Sequence, residues 1–177
     1  LEPDSLDNEI ATTNTAEGGP IFYAHEDEDV RFENATLTGA INPTNLGLVV
    51  AIDSQRVTVS NVVAASFFGE PGRGTTTQDG PAGGPGFGLH FVRVSGCSVR
   101  DSSFSNVRGG TGGSVTERRC LGSGGPATAV RLVDVASCTL DGVTVGTVQG
   151  GGTGTWYNKP SGVNCYSKFG GAAYGLH

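Results

Sequence analysis

A short pattern returns four times along the chain and constrains its fold more than any other feature. Residues 97–107 read CSVRDSSFSNV, and residues 138–148 read CTLDGVTVGTV. Residues 57–67, VTVSNVVAASF, are a further copy, and residues 30–40, VRFENATLTGA, a weaker one. Each copy has an apolar residue or Cys, a second apolar residue two positions on, then Asn, Asp or Gly, and an apolar residue three positions later. The copies start 27, 40 and 41 residues apart. Tandem repeats of this length mean that each unit has an apolar face which only its neighbours can cover.

The pattern reads as strand. Alternate residues of a strand point to opposite faces, so Cys97 and Val99 point one way and Ser98 and Arg100 the other. Asn34, Asn61, Asp101 and Gly142 occupy the position two beyond the second apolar residue, where a positive φ suits these residue types best. A bend there returns Leu37, Ala64, Phe104 and Val145 to the inside. Further short β-branched runs, LGLVVAID, GLHFVRV and AVRLVDV, precede the later copies and read as strands too. Glycine-rich stretches follow the later copies at residues 69–86, 109–126 and 150–171 and read as loops. The 30 glycines show no chain-wide three-residue period, which excludes collagen.

The motif and its tandem spacing resemble the right-handed parallel β-helix repeat of the pectate-lyase-like family, over residues 18–177. The resemblance implies an all-β, right-handed parallel β-helix (solenoid) with long Gly-rich loops projecting from one corner. Residues 1–19 then form an extended N-terminal arm or cap, and residues 20–177 the solenoid. Scaffolds of this family carry lyases, hydrolases, adhesins and inert spacers alike, so the fold does not name an activity.

Composition narrows the partners. A formal net charge of −6 and the lack of any basic cluster exclude a nucleic-acid backbone as partner. No apolar run reaches membrane-spanning length. The chain starts at Leu1 and has no Met, which points to a mature, excised or truncated piece and fits removal of a secretory signal. Four Cys without a CxxC pair point to an oxidising compartment, secreted or at the cell surface.

Cys97 and Cys138 hold one repeat position, where either a disulfide or a ladder of buried thiols fits; the ladder is the favoured reading. Cys120 and Cys165 lie 23 and 27 residues beyond them, in neighbouring loops, and are expected to form a disulfide. The acidic run Glu26, Asp27, Glu28 and Asp29 supplies hard oxygen ligands suited to calcium, without EF-hand spacing, beside the plainer reading of a solvated turn. Trp156, Tyr157 and Tyr166, with His90 and Arg131, are candidates for stacking on or binding a polysaccharide. The competing reading makes His90, Arg131 and His177 a solvated stripe, with Arg93 paired to Asp134. No catalytic residue is assigned: no paired carboxylates of a glycosidase and no nucleophile elbow are present. No cofactor other than calcium is expected.

The final residues GGAAYGLH repeat GGPGFGLH of residues 83–90, so the last repeat is incomplete. An open solenoid end invites self-association, with Tyr174 and Leu176 as contacts. The expected function is a structural module, a head-to-tail filament or adhesin subunit. The alternative is a carbohydrate-active or carbohydrate-binding protein.

Overall fold

In the computed structural model, the residues described are 15–16, 19–38, 41–42, 47–76, 79–116, 120–157 and 170–177. All regular structure among them is strand. β1 (Thr15–Ala16) and β2 (Gly19–Pro20) form a small antiparallel pair. β3 (Phe22–His25), β4 (Arg31–Thr38), β5 (Ile41–Asn42), β6 (Val49–Ile52) and β7 (Thr58–Gly69) follow. Next come β8 (Gly86–Val92), β9 (Ser95–Arg100), β10 (Ser103–Arg108) and β11 (Val115–Thr116). β12 (Ala127–Val133), β13 (Ala136–Asp141), β14 (Thr144–Val145), β15 (Val148–Gln149), β16 (Trp156–Tyr157) and β17 (Ala173–Leu176) complete the set.

The repeat does set the pairing. Phe22 lies beside Val49, Val49 beside Leu89, Leu89 beside Val130 and Val130 beside Leu176, all in parallel strands. Each repeat residue therefore meets its counterpart in the next copy, and apolar residues stack on apolar ones. Phe22, Phe32, Leu37, Val59, Phe67, Leu89, Phe91, Val99 and Phe104 are all buried in one cluster.

The expected right-handed β-helix solenoid is not the architecture. The strands sort into two main parallel sheets, an eight-stranded one curled into a half-barrel and a five-stranded one of order β17-β12-β8-β6-β3. The reason lies in β7. It runs unbroken for 12 residues, through the bend at Asn61, and pairs with β4 and β5 on one edge and with β9 and β10 on the other. One long strand holding four partners fuses segments that a regular solenoid keeps on separate faces.

The bends themselves are as the residue types predict. Asn34, Asn61, Asp101 and Gly142 all have positive φ, from 46° to 60°. Three further stacks of left-handed residues were hidden behind less obliging side chains. Glu26, Asp53, Arg93 and Asp134 form one, Asp29, Arg56, Gly96 and Ser137 a second, and Ser66 and Asn106 a third.

The glycine-rich stretches are not projecting loops. Among the described residues their outgoing and returning arms pack into a hydrogen-bonded bundle. One ladder crosses it from Gly84 N–H donating to Glu70 O, through Gly110 to Gly84, Gly125 to Gly110 and Gly151 to Gly125, to Gly171 donating to Gly151; a second runs from Gly113 donating to Pro81, through Gly122 to Gly113, to Gly154 donating to Gly122. Arms of the same direction are also joined. Gly80, Gly83 and Gly86 donate to Cys120, Ser123 and Pro126, and Gly109 and Gly112 donate to Gln149 and Gly152.

Donors recur every third residue, which is the period of an extended three-fold (polyproline-II-type) chain rather than the two of a strand. Such a chain makes no internal hydrogen bonds, so its amides are free to tie neighbouring arms together. Many of these glycines are buried, which demands that their peptide groups be paired. The arms approach so closely that a Cβ on Gly110 would overlap the Glu70 carbonyl, and one on Gly125 the Gly84 carbonyl.

The close approach predicts a sharp contrast between two substitutions. Gly110→Ala is expected to cost about 2–3 kcal/mol, the scale of overpacking a tight interior. Gly152→Ala, where an added Cβ meets nothing within 4 Å, is expected to stay within about 0.5 kcal/mol of the parent. Urea denaturation of the two variants checks this; equal midpoints would refute the close-packed bundle.

Candidate functional site

Three regions carry the polar and apolar groups that function can draw on: an ionic row along the bends, a buried His–Arg cluster, and the outer edge of the final strands.

The ionic row is built by register. Parallel pairing puts Glu28 and Asp29 one strand away from Arg56, and Asp53 one strand away from Arg93. The Arg56 guanidinium donates through Nε to Asp29 Oδ1 at 2.6 Å and through Nη2 to Glu28 Oε2 at 2.7 Å. Arg93 makes a two-point contact with Asp53. The expected partner of Arg93, Asp134, is instead a more distant charge beside it.

The hydrogen bond from Arg56 holds the Asp29 carboxyl below its ordinary 3.8, and the bond from Arg93 does the same for Asp53. Two members of the acidic run are thus spent on a guanidinium. Among the described residues no group of three or more His, Cys, Asp or Glu side chains is arranged to hold a metal.

Of the expected solvated stripe, His90 is buried, Arg131 half-buried and His177 exposed. His90 is only 7 % exposed, and its Nε2 lies 2.9 Å from Arg131 Nη1. Arginine can only donate, so Nε2 accepts and the imidazole is neutral in this pairing. Phe87 completes the cluster, with its ring 4.6 Å from the His90 ring and 5.0 Å from the Arg131 guanidinium carbon. Stacked on a ring and bonded to an imidazole, the guanidinium locks β8 to β12. In the next strand the same column is continued by His177, whose ring packs against Tyr174 at 5.0 Å.

Of the aromatic candidates, the backbone of Trp156 and Tyr157 forms β16, paired with Val115 and Thr116. Their side chains and all of Tyr166 lie outside the described residues. Cys97 and Cys138 form a disulfide, with Cα atoms 4.3 Å apart in directly paired strands, so the favoured thiol ladder is corrected. Cys120 is also disulfide-bonded; its expected partner, Cys165, lies outside the described residues.

Among the described residues, exposed large apolar side chains gather on the final strands, with Val63 of β7, 42 % exposed, the exception elsewhere. Val145 is 39 % exposed, Tyr174 43 % and Leu176 61 %. Leu140, Val143 and Val148 are only partly buried, while their counterparts one strand earlier are fully covered. At the opposite end Phe22, Val30, Phe32 and Leu37 are all buried.

Sequence reasoning missed the Arg56 pair. Arg56 was readable as the residue 27 positions beyond Asp29, one repeat length away.

Compared with known proteins, the chain matches no family model, no curated protein and no solved structure. The repeat's resemblance to pectate-lyase-like chains is therefore unsupported by any match. No helix among the described residues is long and apolar enough to cross a membrane.

Two predictions follow from the covalent and ionic ties. Cys97→Ser/Cys138→Ser, which opens a 41-residue separation, is expected to lower stability by about 2–4 kcal/mol, read by denaturant unfolding under non-reducing conditions. The second concerns acid. Asp53 titrates lower in the folded chain than the ordinary 3.8, so the unfolded state binds protons first as pH falls. Its contribution to stability is complete above that value and disappears as pH drops through the folded one. The melting temperature of Asp53→Asn should therefore fall less steeply on acidification than that of the parent; parallel curves would remove Asp53 from the acid response.

Proposed function

We propose that the protein is an extracellular structural module that pairs with a second copy of itself through its final strands. The observation that carries this reading is the asymmetry of the two ends. Among the described residues, one end leaves apolar residues and the edges of β13, β14 and β17 uncovered, whereas the other buries its apolar residues. Exposed apolar surface next to unpaired strand edges favours association.

The same asymmetry bears on geometry. A head-to-tail filament needs two complementary open ends, and this chain has its apolar residues covered at one of them. Pairing of open end with open end brings two uncovered faces together and closes on itself as a two-fold dimer.

Disulfide bonding of Cys97, Cys138 and Cys120 supports an oxidising, extracellular setting. Rigidity suits a structural role: the strands are tied by parallel ladders, salt bridges and a covalent link, and the glycine arms by their own hydrogen bonds.

Sedimentation velocity over a concentration series tests the reading. The parent chain is expected to shift from monomer to dimer, and Tyr174→Asp/Leu176→Asp to stay monomeric with an unchanged melting temperature. Both substituted side chains are exposed, so a change in folding is not expected. A parent that is monomeric throughout the series, or polymers longer than dimers, would overturn it.

A further inference from the structure

The first outgoing and returning glycine arms bound an open groove of about 330 Å³ at the outer edge of the bundle. Residues 70–73 form one wall, and Pro81, Ala82 and Gly84 the other.

One layer deeper, the equivalent place is filled. There residues 79–86 lie between the next outgoing arm and the next returning arm. Gly110 and Gly113 donate their amides to Gly84 and Pro81, while Gly80 and Gly83 donate theirs to Cys120 and Ser123. The registers Thr75 with Val115 and Gly86 with Ala127 relate the two layers. By those registers, the counterparts of the Gly110 and Gly113 amides are the amides of Glu70 and Arg73. The counterparts of the Cys120 and Ser123 carbonyls are those of Asp79 and Ala82. Among the described residues, the Arg73 amide has no hydrogen-bond partner.

We propose that this groove binds an extended segment of a partner polypeptide carrying glycine at every third position. The segment that fills the deeper position states the requirement. It reads Gly80-Pro81-Ala82-Gly83-Gly84-Pro85-Gly86. A Cβ on Gly80, Gly83 or Gly86 would overlap the carbonyl of Gly113, Gly110 or Arg108. The open groove presents the matching wall, with the Arg73 and Glu70 carbonyls where those of Gly113 and Gly110 lie deeper in. Glycine is thus required at one position in three, while proline is accepted at the others, because a three-fold extended chain already has proline's φ. Affinity comes from main-chain hydrogen bonds and discrimination from the exclusion of side chains at the glycine positions, as in recognition of extended peptides by other scaffolds.

The test uses the whole chain, labelled with ¹⁵N, and a capped synthetic peptide of sequence DGPAGGPG, identical to residues 79–86. Saturable amide shifts centred on Glu70, Arg73 and Ala82 are expected. A peptide with alanine in place of the first, second and fourth glycines should bind at least tenfold more weakly. Arg73→Pro removes one donor without changing the extended conformation of an exposed residue, and should lose binding while keeping the parent's spectrum elsewhere. Non-saturable shifts, shifts centred away from the groove, or equal binding of the alanine peptide would overturn the proposal. None of these readouts depends on the dimer, whose contacts lie at Tyr174 and Leu176.

Discussion

Buried peptide groups must be paired, and this chain meets that demand by one device, the constant register between successive repeats. Once Phe22 lies beside Val49 and Val49 beside Leu89, each strand further along meets its counterpart about one repeat length away. The same register serves two kinds of backbone. In the strands it joins residues of period two, whose inward side chains fill the core. In the glycine arms it joins residues of period three, with no side chains to spare. A shift of one residue would damage both at once, turning Phe104 outward and placing non-glycine residues against carbonyls. The sheets and the bundle therefore specify the same alignment, and each reinforces the other's choice.

That alignment also explains the charges. Left-handed residues stack in columns, and a column of exposed side chains along parallel strands brings charges to within bonding reach. Arg56 over Asp29 and Arg93 over Asp53 settle the columns that would otherwise be acidic repulsions. Such exposed pairs add little stability individually. Their larger effect is on register, because a slipped strand would set Asp53 against a neutral neighbour and leave Arg93 without its two-point contact.

The sequence made some of this legible. The four copies of the motif, the bends at Asn34, Asn61, Asp101 and Gly142, and the parallel stacking all follow from residue types and spacing. The sheet arrangement did not, because strand length decides it: Asn61 looks like a break, yet β7 continues through it, supported by partners on both edges. Glu26, Arg56 and Arg93 hid two columns of left-handed residues, since their side chains are poor markers of positive φ. The glycine bundle was concealed by scale. Over the whole chain the glycines lack a three-residue period, but within each arm they have one, as at Gly80, Gly83 and Gly86 or Gly109 and Gly112. His90 was misplaced outward because strand alternation says which face a residue takes, not whether another segment covers that face. Gly47 does so, its position lying against Phe87 and the His90 Cβ.

The disulfides lie where the other forces are weakest. The glycine bundle has almost no apolar side chains, so burial contributes little there and cohesion rests on main-chain hydrogen bonds, each of small net value. Cys120 sits in one of its arms. The final strands keep their apolar residues half exposed, so they gain less from burial than the strands before them, and Cys138 ties them to the strand in which Cys97 and Val99 are buried. Between these two regions, where Phe22, Phe32, Phe67, Phe91 and Phe104 pack, the described residues contain no crosslink. Covalent ties thus substitute for side-chain packing, leaving the final strands and the glycine arms ordered enough to present surfaces that the core does not consume.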